Sequence, residues 1–384
     1  MMSKSPARGH RPAAALLAAV LLSALAACGS GGSGSSQKSS SGASQVDQAG
    51  LTAAKAKYEE LKNPPPNAWT PTDKLSKRMS GKTFYFIYIG HVPAFEQGLA
   101  ATIKANDVVG AKTVPLTFTP GTDELASRLK QALEAKPDGV FISGAPASTI
   151  TAQLADFKAA KIPVVSQGVR EKDDTNLGFV GYDWAYTMCA DNAAIAIADS
   201  GGKAHVLQTE FPEIAGINHG CKAGYSDYMK KNCPTCQTEF KDFTQADQAA
   251  NKNPQIVTGF LQARPDIKYV VWQGANSIPG VPQALQAAGI TGVTQLSFGG
   301  DVKTWADIRS GAQLGDLAYD LQYIGYRSAD LIDRLVAGDD TTEAGKDNIP
   351  TQFLTKDTLP APTATAWFLP TEYVSKFKAS WGVG

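Results

Sequence analysis

The chain of 384 residues lacks a net charge, with 36 basic and 36 acidic side chains. No basic stripe offers a footprint for nucleic acid, and no acidic field one for a cationic partner. Beyond residue 27 no apolar run approaches the roughly twenty residues of a membrane-spanning helix. There is no Gly-x-Ser-x-Gly elbow, no Walker-type loop and no Gly-x-Gly-x-x-Gly after a strand pattern, so the motifs of serine hydrolases, P-loop enzymes and dinucleotide enzymes are missing. Histidine is scarce, at four residues. His91 and His219 follow strand patterns, but no carboxylate or cysteine stands at the spacing a metal site needs. The chain is expected to have no metal, no cofactor and no enzymatic activity. Cysteine is sparse too, at five residues.

The N-terminus has a strong pattern. Lys4, Arg8 and Arg11 precede an uncharged apolar run over 13–27, too short to span a bilayer as a mature helix and shaped like an export signal. Leu25-Ala26-Ala27-Cys28 resembles the lipobox of bacterial lipoproteins, which implies a diacylated Cys28 and removal of 1–27. The alternative is an ordinary secretory signal with an incidental cysteine. Residues 29–44 are almost wholly Gly, Ser, Gln and Ala, a flexible tether that buries nothing, and they favour the anchor. The expected location is the outer face of the cytoplasmic membrane, held by lipid.

Four cysteines remain, Cys189, Cys221, Cys233 and Cys236; in an exported chain an even number points to disulfides, and four allow three connectivities. Cys233-Pro234-Thr235-Cys236 matches a thiol-redox spacing. A redox motif should open a helix after a strand, whereas this one sits between a helix ending near Lys231 and a strand beginning near Gln237. A Cys189–Cys221 staple between two helices and a local Cys233–Cys236 loop are expected, with a thiol oxidoreductase as a distant alternative.

Residues 45–62 show helical spacing and end at three prolines, 64–66. From Thr83 strand and helix patterns alternate: strands over 83–89, 113–118, 139–142, 163–166 and 179–180, with helices over 94–106, 123–135 and 147–160 between them. The alternation restarts after Gly181, with helices over 185–199, 217–231, 246–262 and 279–288. Its strands cover 204–208, 238–241, 268–272 and 294–298. Residues 313–319 read as a strand, 322–336 as an amphipathic helix and 353–354 as a short strand. Continuous apolar strands imply burial on both faces, and helical crossovers imply parallel βαβ units. The fold class is therefore α/β, two doubly wound parallel-sheet domains with a ligand cleft between them.

The order of elements resembles the type I periplasmic binding proteins of ABC importers, in particular the ribose-binding-like group, over about residues 82–338. The residues that carry the resemblance are Pro93-Ala94-Phe95, Lys136-Pro137-Asp138-Gly139-Val140, Ile162-Pro163-Val164-Val165, Val180-Gly181-Tyr182-Asp183, Lys222-Ala223-Gly224-Tyr225, 297–301, Ile324-Gly325 and 331–338. It implies a multi-strand hinge and this division: signal 1–27, lipidated tether 28–46, N-terminal helix and Pro-rich segment 47–80, first domain 81–180 with 302–320, second domain 181–301 with 321–350, and a C-terminal hinge strand and tail 351–384. Gly181, Tyr182, Asp183 and Gly300 are expected at the hinge.

Ligands of open α/β sheets bind beyond the carboxyl ends of the strands. Strand ends and the resemblance together mark His91, Phe95, Gln167, Arg170, Glu210, His219, Phe243, Trp272, Gln273, Asn276, Asp301 and Tyr319 as ligand-binding candidates. Phe95 matches a ring that packs on the sugar face, although a ring at a helix start is more often core. The family's Asp-Arg pair after the fourth strand is absent: Arg170 stands one residue out of place and the aspartate is missing. His219 stands roughly where the family has an arginine, Gln273 or Asn276 where it has an asparagine, and Tyr319 where it has a glutamine. Phe95, Trp184, Phe211, Phe243, Trp272 and Tyr319, with few fixed charges, suit a neutral, partly apolar solute. The expectation is a monomeric solute-binding lipoprotein that delivers a sugar-like molecule to ABC permease subunits. A sensor of the same fold, signalling to a membrane receptor or kinase, shares every cleft residue.

Cys28→Ala is expected to leave uncleaved precursor or to release the protein from the acylated membrane fraction, checked by fractionation and intact mass. Unchanged processing and membrane partitioning would refute the anchor.

Overall fold

The computed structural model describes residues 46–384 apart from 67, 91, 92, 168, 169, 173–177, 347 and 371. Helix α1 (Gln48–Lys62) begins at Asp47, whose carboxylate accepts from the amides of Ala49 and Gly50; this satisfies two of the donors that a helix start leaves open. The first alternating set runs β1 (Thr83–Ile89), α2 (Pro93–Val108), β2 (Lys112–Phe118), α3 (Glu124–Ala135), β3 (Gly139–Ser143), α4 (Thr151–Ala159), β4 (Val164–Gln167) and β5 (Gly178–Phe179). Its sheet is parallel throughout, in the order β2-β1-β3-β4-β5. Tyr85 in β1 stands opposite Val114 on one side and Val140 on the other. Every residue of β3 is buried, as helices on both faces require.

The second set continues through α5 (Tyr182–Asp199), β6 (His205–Glu210), α6 (Ala215–Asn232), β7 (Gln237–Asp242), α7 (Gln245–Ala249), α8 (Asn253–Ala263), β8 (Tyr269–Trp272), α9 (Val281–Ala287), β9 (Thr294–Phe298), α10 (Trp305–Ser310) and β10 (Gly315–Tyr319). Then come α11 (Leu321–Ala337), β11 (Thr351–Leu354) and α12 (Glu372–Trp381). The second sheet has the order β11-β10-β9-β8-β6-β7, parallel except for the antiparallel edge strand β11. The two doubly wound sheets are the fold class that the sequence pattern implies.

Helices α5 and α6 pack backbone to backbone. A Cβ at Gly220 would stand 2.2 Å from the carbonyl oxygen of Tyr182, and one at Gly224 2.0 Å from that of Tyr186. Only glycine permits this approach, and it brings Cys189 and Cys221 to a Cα separation of 4.9 Å, where they form a disulfide. A second disulfide joins Cys233 to Cys236.

The domain division differs from the expected one in the last third of the chain. Residues 302–320 were expected in the first domain, yet β10 pairs with β9 of the second sheet, and the buried carboxylate of Asp316 accepts from Ser297 and Gly300. Residues 321–350 were expected in the second, yet α11 packs along α2 and lays Ile332 over Gly139 of β3 in the first. The chain therefore crosses first between α1, which packs on α5 and α6, and β1, then at 179–182, at 319–321 and at 338–351, and again between β11 and α12; Gly300 lies inside the second lobe rather than at a hinge. The single helix expected over 246–262 is two, because Asn251 takes a left-handed φ of 52° and Pro254 starts a new helix. The tail is no mere hinge strand: β11 is an edge strand of the second sheet, while α12 returns to the first lobe and packs on α11.

That return explains why α11, amphipathic by its pattern, is buried nearly all round. Its outer face carries Arg327, Asp330, Asp333 and Arg334, each at most 5% exposed. Arg334 pairs with Asp330 at 2.8 Å, Trp381 donates to Asp330, and Arg334 also reaches the carbonyl of Asp73 and the hydroxyl of Ser380. Tyr323, Tyr326, Tyr373, Phe377 and Trp381 form one ring cluster over this face. At the head of the helix the Asp320 carboxylate accepts from Gln322 N, Tyr323 N, Leu369 N and Tyr373 Oη at 2.8–3.1 Å.

Asp320→Ala leaves these buried donors without an acceptor and is expected to lower unfolding free energy by roughly 3 kcal/mol, read by urea denaturation. A loss below about 1 kcal/mol would show that the tail is held by its rings alone.

Candidate ligand cleft between the lobes

Strand order reverses between β1 and β3 in the first sheet and between β6 and β8 in the second. At such points the crossovers leave in opposite directions and open a crevice at the strand carboxyl ends. The two crevices share one cavity of about 660 Å³. From the first lobe it is lined by Gly90, Ser143, Gln167 and Val180 at strand ends, by Thr119 and Pro120 after β2, and by Phe95, Gln97 and Gly98 of α2. From the second come Phe211 after β6, Gln273 to Asn276 after β8, Phe298, Gly299 and Asp301 around the end of β9, and Tyr319 at the end of β10.

Ring faces dominate the wall. Trp184, 3% exposed, meets Phe298 and Tyr319 edge-on at centroid distances of 5.4 and 5.0 Å. Burial holds the Tyr319 hydroxyl well above its ordinary pKa, reinforced by the nearby Asp316, so it stays protonated. The polar wall is mostly carboxamide. Gln273 accepts from the amide of Phe211 at 2.6 Å across the second switch point, and Thr209 Oγ1 accepts from the Gln273 amide at 3.0 Å. Gln167 donates to Ser328 Oγ of α11 at 2.7 Å, with its oxygen turned toward Gly98. Among the described residues Asp301 is the single carboxylate in the lining, and it caps a short helical turn through the amide of Lys303.

Of the twelve sequence candidates, Phe95, Gln167, Gln273, Asn276, Asp301 and Tyr319 line this cavity. His91 lies outside the described residues. The other five stand elsewhere. Trp272 is fully buried, donates to Gln295 Oε1 at 3.1 Å and meets Phe243 edge-on at 5.4 Å; both rings belong to the core of the second lobe. Arg170 sits at the first crossing, where its carbonyl accepts from Tyr182. A Cβ at Gly181 would meet Arg170 at 2.4 Å. His219 faces a separate groove, with Tyr182 and residues of α4. Glu210 is 1% exposed and lies outside the lining.

The sequence reading missed Gln245 and Gln248 on α7, along with Thr119 and Lys303. Gln245 and Gln248 follow β7 as Gln273 follows β8, so the strand-end rule reaches them. The short helix carrying them reads in sequence as the start of a longer one. The Cys233–Cys236 pair lies past the end of α6 opposite to Ile214 and Ile217, which line the cleft. Among the described residues no group of three or more His, Cys, Asp or Glu is placed to hold a metal, and no helix is long and apolar enough to cross a membrane.

Residues 85–340 match the model of the periplasmic binding protein domain family, and the chain belongs to that family. Solved structures share the fold at low identity. A carbohydrate transporter solute-binding protein from Agrobacterium radiobacter, in complex with D-arabinose, superposes with a TM-score of 0.61 at 20% identity, covering 73% of this chain and 96% of that one. An ABC transporter solute-binding protein from Agrobacterium vitis, with bound allitol, gives 0.63 at 19%, covering 73% and 97%. GanP, a glucose-galactose binding protein from Geobacillus stearothermophilus, gives 0.63 at 16%, covering 73% and 100%. No curated protein matches the chain.

Neither carboxyl oxygen of Glu210 has a hydrogen-bond partner among the described residues, and burial raises its pKa from 4.5 to about 8 despite the opposing charge of Lys222. The folded state holds this proton more tightly than the unfolded one, so stability falls as pH climbs from about 4.5 to about 8. Glu210→Gln removes that loss. It is expected to leave unfolding free energy near pH 5 almost unchanged and to raise it by about 1–3 kcal/mol at pH 9, read by denaturation at both values. An equal effect at both would place the origin elsewhere.

Proposed function

We propose that the protein is an extracytoplasmic substrate-binding lipoprotein of an ABC import system that captures a small, neutral or partly apolar, sugar-like solute by closing its two lobes. The observation that carries this reading is the cavity at both switch points, about 660 Å³, within the roughly 300–1,000 Å³ of small-molecule sites. Its wall of rings and carboxamides, with one carboxylate and one lysine among the described residues, matches an uncharged ligand. Carbohydrate or polyol ligands in the solved relatives, D-arabinose and allitol among them, support the sugar-like class. Lipid on Cys28, with the tether behind it, would keep the monomer near permease subunits while leaving it free to turn. The first site list narrows to Phe95, Gln167, Gln273, Asn276, Asp301 and Tyr319, joined by Trp184, Gln245 and Gln248.

Closure requires that the ligand bind the closed form more tightly than the open one. A thermal-shift screen against sugars and polyols is expected to find a ligand worth about 2.7 kcal/mol at a hundredfold excess over its dissociation constant. That ligand should change Trp184 fluorescence and compact the particle in small-angle scattering. Trp184→Ala should weaken binding by about 1–3 kcal/mol. Ligand binding without compaction, and indifferent to Trp184→Ala, would move the site elsewhere.

A further inference from the structure

We infer that Asp316, a buried carboxylate behind the cavity wall, is a positioning residue for the solute: ionised, it holds the turn 299–301 in the lining, and in acid it lets that turn loosen and the solute go. This rests on the cleft being the solute site. Gly299 and Asp301 line the cavity, with Phe298 before them, whereas Gly300 and Asp316 do not. Both glycines have positive φ, 136° and 72°, and neither has a side chain to brace the turn. Among the described residues two bonds tie it to the sheet. The Gly299 amide donates to the carbonyl of Leu317 at 3.0 Å, and the Gly300 amide donates to the Asp316 carboxylate. Asp301 adds bonds to the residues that follow it, accepting from Lys303 and Thr304.

The Asp316 side chain is fully enclosed. Its other partner is the Ser297 hydroxyl, which donates to it while accepting from Gln313 Nε2 at 2.8 Å. Ser297 stands opposite Asp316 on β9 and Leu354 opposite it on β11, and neither titrates. The titratable groups that act on it are Asp301 in the turn and Tyr319 further along β10. Burial pushes the Asp316 carboxyl up to about 6 and Asp301 adds to the push, while Ser297 and Gly300 oppose it. Asp316 therefore takes up its proton in a range where exposed carboxylates stay ionised. A neutral carboxyl still offers an oxygen to Gly300, but without the charge that makes such a bond roughly twice as strong. Its new proton also competes for the Ser297 oxygen that Gln313 already uses. Both changes weaken the hold on Gly300.

The test is hydrogen exchange at the Gly300 amide of the whole chain without ligand, followed from pH 8 to pH 5 and corrected for the intrinsic pH dependence of exchange. The Phe86 amide of β1 measures global opening. Protection at Gly300 is expected to fall about five-fold or more toward pH 5, the step from a charge-assisted to a neutral hydrogen bond, without a matching fall at Phe86. Asp316→Asn should remove this pH dependence. Ser297→Ala removes one of the two bonds that favour the carboxylate, so it should move the midpoint to higher pH; it decides the matter if Asp316→Asn does not fold. D-arabinose and allitol, titrated calorimetrically at both ends of the range, are the ligand probes. A probe that binds should do so about five-fold more weakly at pH 5, and Asp316→Asn should level the two values. Equal protection of Gly300 across the range, or a midpoint that Ser297→Ala leaves in place, overturns the inference. So does a probe that Trp184→Ala weakens but that binds equally at both pH values, and the cleft reading then stands. A probe whose binding Trp184→Ala leaves unchanged overturns both. If neither probe binds, the exchange profile decides alone.

Discussion

One carboxylate holds the C-terminal tail to the crossing between the two sheets. Asp320 stands where the chain leaves the second sheet for the first lobe, and it accepts from two amides of α11 and from Leu369 and Tyr373 of the tail. Burial opposes its ionisation, and the four donors answer that opposition. Because Tyr319 next to it lines the cleft, the geometry of the ligand wall and the docking of the tail share one residue boundary.

The same docking makes α11 tolerable. A helix with Arg327, Asp330, Asp333 and Arg334 on one side would ordinarily turn that side to water. Here the segment before β1 and the helix after β11 cover it, supplying Trp69 to Arg327 and Trp381 to Asp330. Buried charges survive only when paired or hydrogen-bonded. Asp333 lacks such a partner among the described residues, and burial beside Asp330 pushes its carboxyl far above the usual range, so it is held neutral. These covering segments lie outside the residues matched by the family model, so the family core is here wrapped by its own flanks.

Much of the fold was legible because parallel strands buried on both faces write themselves as continuous apolar runs: Phe84 to Ile89 and Tyr269 to Trp272 needed nothing more. The membership of β10 and α11 was not legible. Both are apolar enough for either lobe, and the choice is made by pairings such as Leu317 beside Phe298, which no local pattern encodes. The break at Asn251 is hidden for a related reason, since asparagine is tolerated in a helix and its left-handed φ of 52° leaves no mark in the apolar pattern.

The site was half legible, and its division follows from one residue of register. Trp272 and Gln273 are neighbours, and both looked like ligand groups beyond a strand. Trp272 is the last residue of β8 and points into the layer between sheet and helices, where Gln295 takes its N–H and Phe243 its edge. Gln273 is the first residue past the strand and turns across the switch point toward Phe211. Side chains alternate along a strand, so a ring and an amide one position apart serve opposite ends of the same task. The amide oxygen of Gln273 is held by the backbone donor that follows β6, and its N–H₂ is buried without a partner among the described residues. A sugar-binding wall built on an Asp-Arg pair would carry its specificity in charge. This lining carries rings and carboxamides instead, with Asp301 its single carboxylate among the described residues.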